Sequence, residues 1–191
     1  IMTVATGVPV ARAAVVPGVQ AGAQALPDRS YLDAVDPGCS HHVAMTGSDA
    51  NPGTSPAQAW GTIGKAIRTL QSGESACVHA GTYSETGAAT GHDGTRTDPI
   101  VIRGAPGESR PVVNVPVDDP LISVTRGYWV VENLEVDKNG TDDNAVRVDA
   151  GHHVMLRNLA VHNGRGTAAL VTFNGAHDVT IDGNEIYDFR R

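Results

Sequence analysis

The sequence predicts an all-β solenoid in which short strands are wound into stacked coils of about 25 residues. Three observations predict it. The segments "WVVENLEV" (129–136), "VMLRNLAV" (154–161) and "VTIDGNEI" (179–186) follow one another at a spacing of 25. Within each unit the apolar residues fall in short apolar–x–apolar groups rich in β-branched side chains, which suits three-residue strands and not helical turns. Finally, Gly104, Asn133, Asn158 and Gly183 each stand two residues after the last apolar residue of a strand (Ile102, Val131, Leu156, Ile181). Gly and Asn enter the left-handed backbone region cheaply, so this register predicts a sharp bend with positive φ at all four. Leucine-rich, TPR and ankyrin arrays are excluded, because neither a dense leucine consensus nor paired helical patterns are present.

The elements follow in chain order. Ile63, Ala66, Ile67 and Leu70 fall at helical spacing, so 62–71 is expected to be an amphipathic helix covering the open end of the core. A first set of strands is expected at 76–80, 121–124, 146–148 and 171–173, with Val146 and Val148 recurring as Val171 and Phe173. The second set falls at 99–102, 129–131, 154–156 and 179–181, and the third at 112–115, 134–136, 159–161 and 184–186. Parallel strands stack about 4.8 Å apart, so equivalent positions form ladders. On the outer side of the first set the expected ladder is His79, Ser123, Arg147 and Thr172.

Composition narrows the function. The chain has 191 residues, 22 Gly, 11 Pro, 40% hydrophobic residues and a net charge of −7. That balance, without any Lys/Arg run, argues against nucleic acid. Residues 1–26 are nearly uncharged, Ala/Val-rich and carry "AQA" at 23–25, which reads as a signal-peptide remnant or a disordered leader. Pro and Gly interrupt this stretch too often for a membrane span, so no membrane insertion is expected. The protein is therefore expected to be secreted, and to act as a monomer. In an exported protein the two cysteines, Cys39 and Cys77, read as a disulfide, since two thiolates cannot close a zinc shell.

These features resemble the right-handed single-stranded parallel β-helix of pectate lyases and their relatives, including alginate lyases and chondroitinase B. The stretch "GSDANPGTSPAQAWGTIGKAIRTLQSGESACVHAGTY" (47–83) is similar to the N-terminal cap of such proteins. The resemblance covers about residues 40–191 and divides the 27–191 domain into a cap (40–75) and coils (76–191), with further coils expected beyond a third strand that ends the sequence. It implies three short strands per coil, an Asn ladder at the bend, and a polysaccharide groove on the outer face of the first set.

Asp118 and Asp119 precede Ile122 by the same spacing at which Asp142 and Asp143 precede Val146. Adjacent coils would bring these carboxylates together in an oxygen-rich setting that suits Ca²⁺; the alternative is ordinary turn chemistry. In the lyases that the chain resembles, such an ion neutralises a uronate carboxylate and a Lys or Arg removes the C5 proton. Lys138, Arg147 and Arg165 are the basic residues nearest the expected groove. Three readings stay open: a polysaccharide lyase acting on an acidic glycan, a glycoside hydrolase using Asp119 and Asp143, and a glycan-binding or cell-surface module. His152, His153 and His177 fall in the turn before the second strand, on a different edge, where solvated turn histidines are the ordinary expectation and metal binding the alternative.

Overall fold

The computed structural model describes residues 38–165 and 169–190. The leader over 1–26, the first residues of the expected domain and residues 166–168 lie outside them. The described chain is a right-handed β-solenoid with three parallel sheets. Sheet A contains β1 (His41–Val43), β2 (Ser75–Val78), β5 (Ile100–Gly104), β8 (Trp129–Glu132), β11 (His152–Arg157) and β14 (His177–Asp182). Sheet B contains β3 (Thr82–Ser84), β6 (Val112–Asn114), β9 (Glu135–Asp137), β12 (Ala160–His162) and β15 (Glu185–Tyr187). Sheet C contains β4 (Ala88–Ala89), β7 (Ile122–Val124), β10 (Val146–Asp149) and β13 (Leu170–Phe173).

The expected helix is α1 (Ile63–Thr69), and its apolar stripe, continued by Leu70, is fully buried against the coil core. Two side chains satisfy the amides that its N-terminus leaves open. Thr62 Oγ1 accepts from Lys65 N at 3.1 Å. The buried Glu85 accepts from Ile63 N (2.8 Å) and Gly64 N (3.3 Å). Burial, the largest influence, pushes the Glu85 carboxyl above its ordinary pKa, partly opposed by those two amides.

The core is a stack of columns, one residue per coil: Ile100 pairs with Trp129, and Ile102 with Val131, which pairs with Leu156 and then Ile181. Trp129 is fully buried and donates its indole N–H to His92 O at 2.9 Å. Each fully buried side chain in these columns contributes roughly 1.5–3 kcal/mol (Ile181, half exposed, contributes less), and a one-residue slip would turn a whole column outward, so burial fixes the register. Partners in these ladders lie anywhere from 23 residues apart (Val112 with Glu135) to 35 apart (His41 with Ala76), while the columns stay aligned.

Asn133, Asn158 and Gly183 have φ of 56°, 50° and 60°, as the bend requires, and Asn158 Nδ2 donates to Asn133 Oδ1 at 3.1 Å. Gly104 departs from the expectation. It ends β5 without positive φ, because the seven residues that follow it before β6 make a longer turn with Gly107 at φ 80°. Its own constraint is contact, since a Cβ there would lie 2.4 Å from Asn133 O.

Two strand assignments are also corrected. The segment 76–80 does not join the first set: β2 pairs with β5 in sheet A, and the first coil supplies β3 and β4 to the other sheets. Those two strands carry little apolar signal, which hides a coil. In sheet C, Val146 pairs with Leu170 and Val148 with Thr172, a spacing of 24 that continues the Ile122–Val146 spacing. Val171 and Phe173 therefore take the outer positions.

Candidate functional site

Sheet C and the turns leading into it carry the residues at which the sequence places a groove, and the outer face of the sheet is partly exposed. Sheet A differs in that one outward column, Ser75, Val101, Val130, Met155 and Thr180, is as covered as its core columns. The charged column beside it is also less exposed than surface ion pairs would be. Arg103 and Glu132 are buried, and Arg157 binds Glu132 through Nε at 2.8 Å.

On the outer face of sheet C, Ser123 and Arg147 are in register and half-buried. Arg147 holds the centre. One of its terminal guanidinium nitrogens lies 2.8 Å from Asp143 Oδ1 and 2.7 Å from Oδ2, and the guanidinium carbon is 5.9 Å from the centre of the exposed Phe173 ring. Its Nε is buried and has no hydrogen-bond partner among the described residues. The other members of the expected ladder stand elsewhere. Thr172 occupies the column of the buried Val148. His79 follows β2 at the edge of sheet A, where its Nε2 lies 3.0 Å from His42 Nδ1 and its Nδ1 lies 2.8 Å from Glu108 Oε1.

Lys138 is fully buried under the turn and does not face the groove. Its Nζ donates to Asp119 O (2.7 Å) and Val117 O (3.3 Å). Burial depresses its pKa below the ordinary lysine value, against the pull of Asp143, Asp118 and Asp119. Arg165 is exposed on the next coil, bridged in parallel to Arg190, and lines a small cleft with Gly140, Asn163 and Asp188. Among the three basic residues, only Arg147 lies on the sheet face itself.

The four aspartates occupy the turns as their spacing suggests, but two of their carboxylates, those of Asp118 and Asp143, are already engaged. Asp118 Oδ1 accepts from Asp142 N at 2.8 Å, and Asp143 holds Arg147. Among the described residues, no three of these carboxylates gather within ligating distance of one point; the one such group is His153, His177 and Asp178. As arranged, the quartet does not fit a calcium ion. Sequence spacing does not single out Phe173, which a repeat of 25 turns inward, or Asp178, which lies outside the aspartate pairs. Following the 24-residue spacing of sheet C one coil further would have placed Phe173.

Comparison with known proteins agrees with this architecture. The sequence profile described as "Pel9A-like, right handed beta helix region" matches residues 41–188. The chain belongs to the Pel9A-like right-handed β-helix family. Among solved structures, a rhamnogalacturonan lyase is similar with a TM-score of 0.59 and 12% identity, over 80% of this chain and 53% of that one. A GH136 lacto-N-biosidase from Eubacterium ramulus is similar with a TM-score of 0.53 and 17% identity, over 75% of this chain and 34% of that one. The chain thus spans about half the length of the first and a third of the second, and at these identities the likeness is one of fold. None of the curated proteins compared matches the sequence. The Pel9A-like solenoid carries a Cys39–Cys77 disulfide, with Cα atoms 5.5 Å apart, and no described helix is long and apolar enough to cross a membrane.

Proposed function

We propose that this protein is an exported lyase that cleaves an acidic, uronate-containing polysaccharide by β-elimination on the outer face of sheet C. The observation that carries the reading is Arg147, whose side chain is partly exposed on the outer face of sheet C beside Asp143 and the exposed Phe173 ring. The planar guanidinium suits a carboxylate, and the exposed aromatic ring suits the apolar face of a sugar. Neutralising the uronate carboxylate makes its C5 proton easier to lose. Arg165, exposed and hydrogen-bonded through its backbone N–H to Thr141 O beside the turn of Asp142 and Asp143, takes the C5 proton in its neutral form. The C5–H electron pair forms the C4–C5 double bond, the C4–O glycosidic bond breaks, and the leaving oxygen takes a proton from solvent.

The disulfide supports export, since such bonds persist in oxidising compartments. Calcium belongs to the reading as an addition, because Asp143 would have to leave Arg147 to ligate it; no step is derived through the ion. Incubation with polygalacturonate, rhamnogalacturonan and alginate, followed by ultraviolet absorbance of the unsaturated uronate, tests the reading. New reducing ends without that absorbance would instead assign hydrolysis, with Asp119 and Asp143 as the carboxylate pair. Glycan binding without either product would assign a binding module.

A further inference from the structure

The turn that carries the chain from sheet C to sheet A contains a second constellation, apart from the groove residues. Tyr128, His153 and Asp178 occupy the same position in three successive coils, each with left-handed backbone (φ 59°, 52° and 53°). This conformation is uncommon outside Gly, Asn and Asp, so a stacked column of it is a structural commitment. It sends the three side chains out together, and the Tyr128 ring stacks on His153 with centroids 4.6 Å apart. His153 Nε2 lies 3.7 Å from Asp178 Oδ2, and His177 Nδ1 lies 2.8 Å from the same oxygen. One ligand atom from each of His153, His177 and Asp178 falls within 4.8 Å of the others.

These separations bracket the edge of a tetrahedral zinc shell, about 3.3 Å for metal–ligand bonds of about 2.0–2.1 Å. The surroundings supply the support that metal-bound imidazoles have elsewhere. His152 Nδ1 lies 3.0 Å from His153 Nδ1, the ring nitrogen that a metal at Nε2 would leave over, and the His152 ring stacks parallel on His177 at 5.3 Å.

We propose that His153, His177 and Asp178 bind a divalent transition-metal ion of the zinc type, with solvent in the fourth position. Two imidazoles and one carboxylate are a borderline donor set, which selects zinc, nickel or copper over calcium and magnesium. The ligands come from adjacent coils, so the ion joins β11 to β14. In a solenoid each coil is held only by its neighbours, and such a cross-link adds directly to that interface.

The test is calorimetric titration of untagged, chelator-stripped protein with zinc chloride, alongside thermal unfolding with and without the ion. His177 is 61% exposed and carries no core packing, so His177→Ala keeps the fold; His153→Ala and Asp178→Ala are the companions. The expected result is one ion bound per chain, a zinc-dependent rise in Tm, and affinity lowered by more than about 10-fold in each variant, the range associated with losing even a supporting partner. His42→Ala, at the separate His42–His79 pair, should bind zinc like the wild type, and calcium should not compete. No zinc heat in the wild type overturns the proposal. So does binding that survives His177→Ala and Asp178→Ala unchanged, or that is lost in His42→Ala.

Discussion

Arg147 and Asp143 share one guanidinium nitrogen between both carboxylate oxygens, at 2.8 and 2.7 Å, and this contact sets the state of the groove. Both side chains are about a quarter exposed, so the pair is within reach of a ligand while partly shielded from water. If the guanidinium serves the uronate, Arg147→Lys should not substitute for it, since an ammonium is a point charge without the planar fork. Both Arg147→Lys and Arg147→Ala are expected to lower kcat/KM about 100-fold or more, the scale of losing one preorganised charge donor, with unchanged circular dichroism. Full activity in Arg147→Ala would remove the groove assignment.

The same contact makes calcium and Arg147 competitors for Asp143. Calorimetry should show weak or no calcium binding in the wild type, tighter binding in Arg147→Gln, and none in Asp143→Ala, which lacks the contested ligand. Absence of heat in all three would leave the aspartates as turn residues.

Lys138 separates support from chemistry. Its Nζ holds the carbonyls of Val117 and Asp119, so Lys138→Met should cost about 1–3 kcal/mol in chemical denaturation by leaving buried acceptors unmatched. Activity should fall only as far as the turn carrying Asp118 and Asp119 loosens. A variant of unchanged stability but no turnover would give Lys138 a chemical role that its burial does not suggest.

The Cys39–Cys77 bridge spans 38 residues of chain. On the loop-entropy argument it contributes about 4 kcal/mol, so Cys39→Ser with Cys77→Ser should lower Tm by about 8–16 °C in a domain of this size. Calorimetric scans of the oxidised and reduced protein check the same number.

Glu85 predicts a pH dependence. Its folded pKa is raised by burial above the ordinary 4.5, so between that value and the raised one the folded state binds more protons than the unfolded chain. Stability therefore falls as pH rises through this window and is regained as pH drops back through it. Glu85→Gln should flatten that slope, measured as denaturation midpoints from about pH 4 to pH 7.

How much of this was legible in the sequence depended on local signal strength. The bend at Asn133, Asn158 and Gly183 and the helix stripe of Ile63, Ala66, Ile67 and Leu70 were legible because burial and backbone conformation each restrict the residue type. The first coil was not, because β3 and β4 present Thr82, Ser84 and a pair of alanines instead of β-branched triplets. The ladder error at Thr172 came from extending the 25-residue spacing of β8–β11–β14 and β9–β12–β15 to β7–β10–β13 of sheet C, where it is 24. In strands a single residue inverts the face, so that small mismatch put Thr172 in the slot beside Arg147 that Val171 takes, and turned Phe173 inward instead of outward. Side-chain partners were not legible at all: nothing in the spacing of Arg147 and Asp143, or of Lys138 and Asp119, states that they touch.

Tolerance of the ladders for partners 23 to 35 residues apart has an evolutionary consequence. Closing a longer loop costs only about 0.6 kcal/mol per doubling of its length, and the columns that supply stability do not move. Insertions between β9 and β10, where Asp142 and Asp143 sit, can therefore rebuild one wall of the groove while the bend between sheets A and B, at Asn133 and Asn158, is left as it is. Such a scaffold lets recognition diversify by lengthening and shortening turns, one coil at a time, with little change in the thermodynamics of the barrel they decorate.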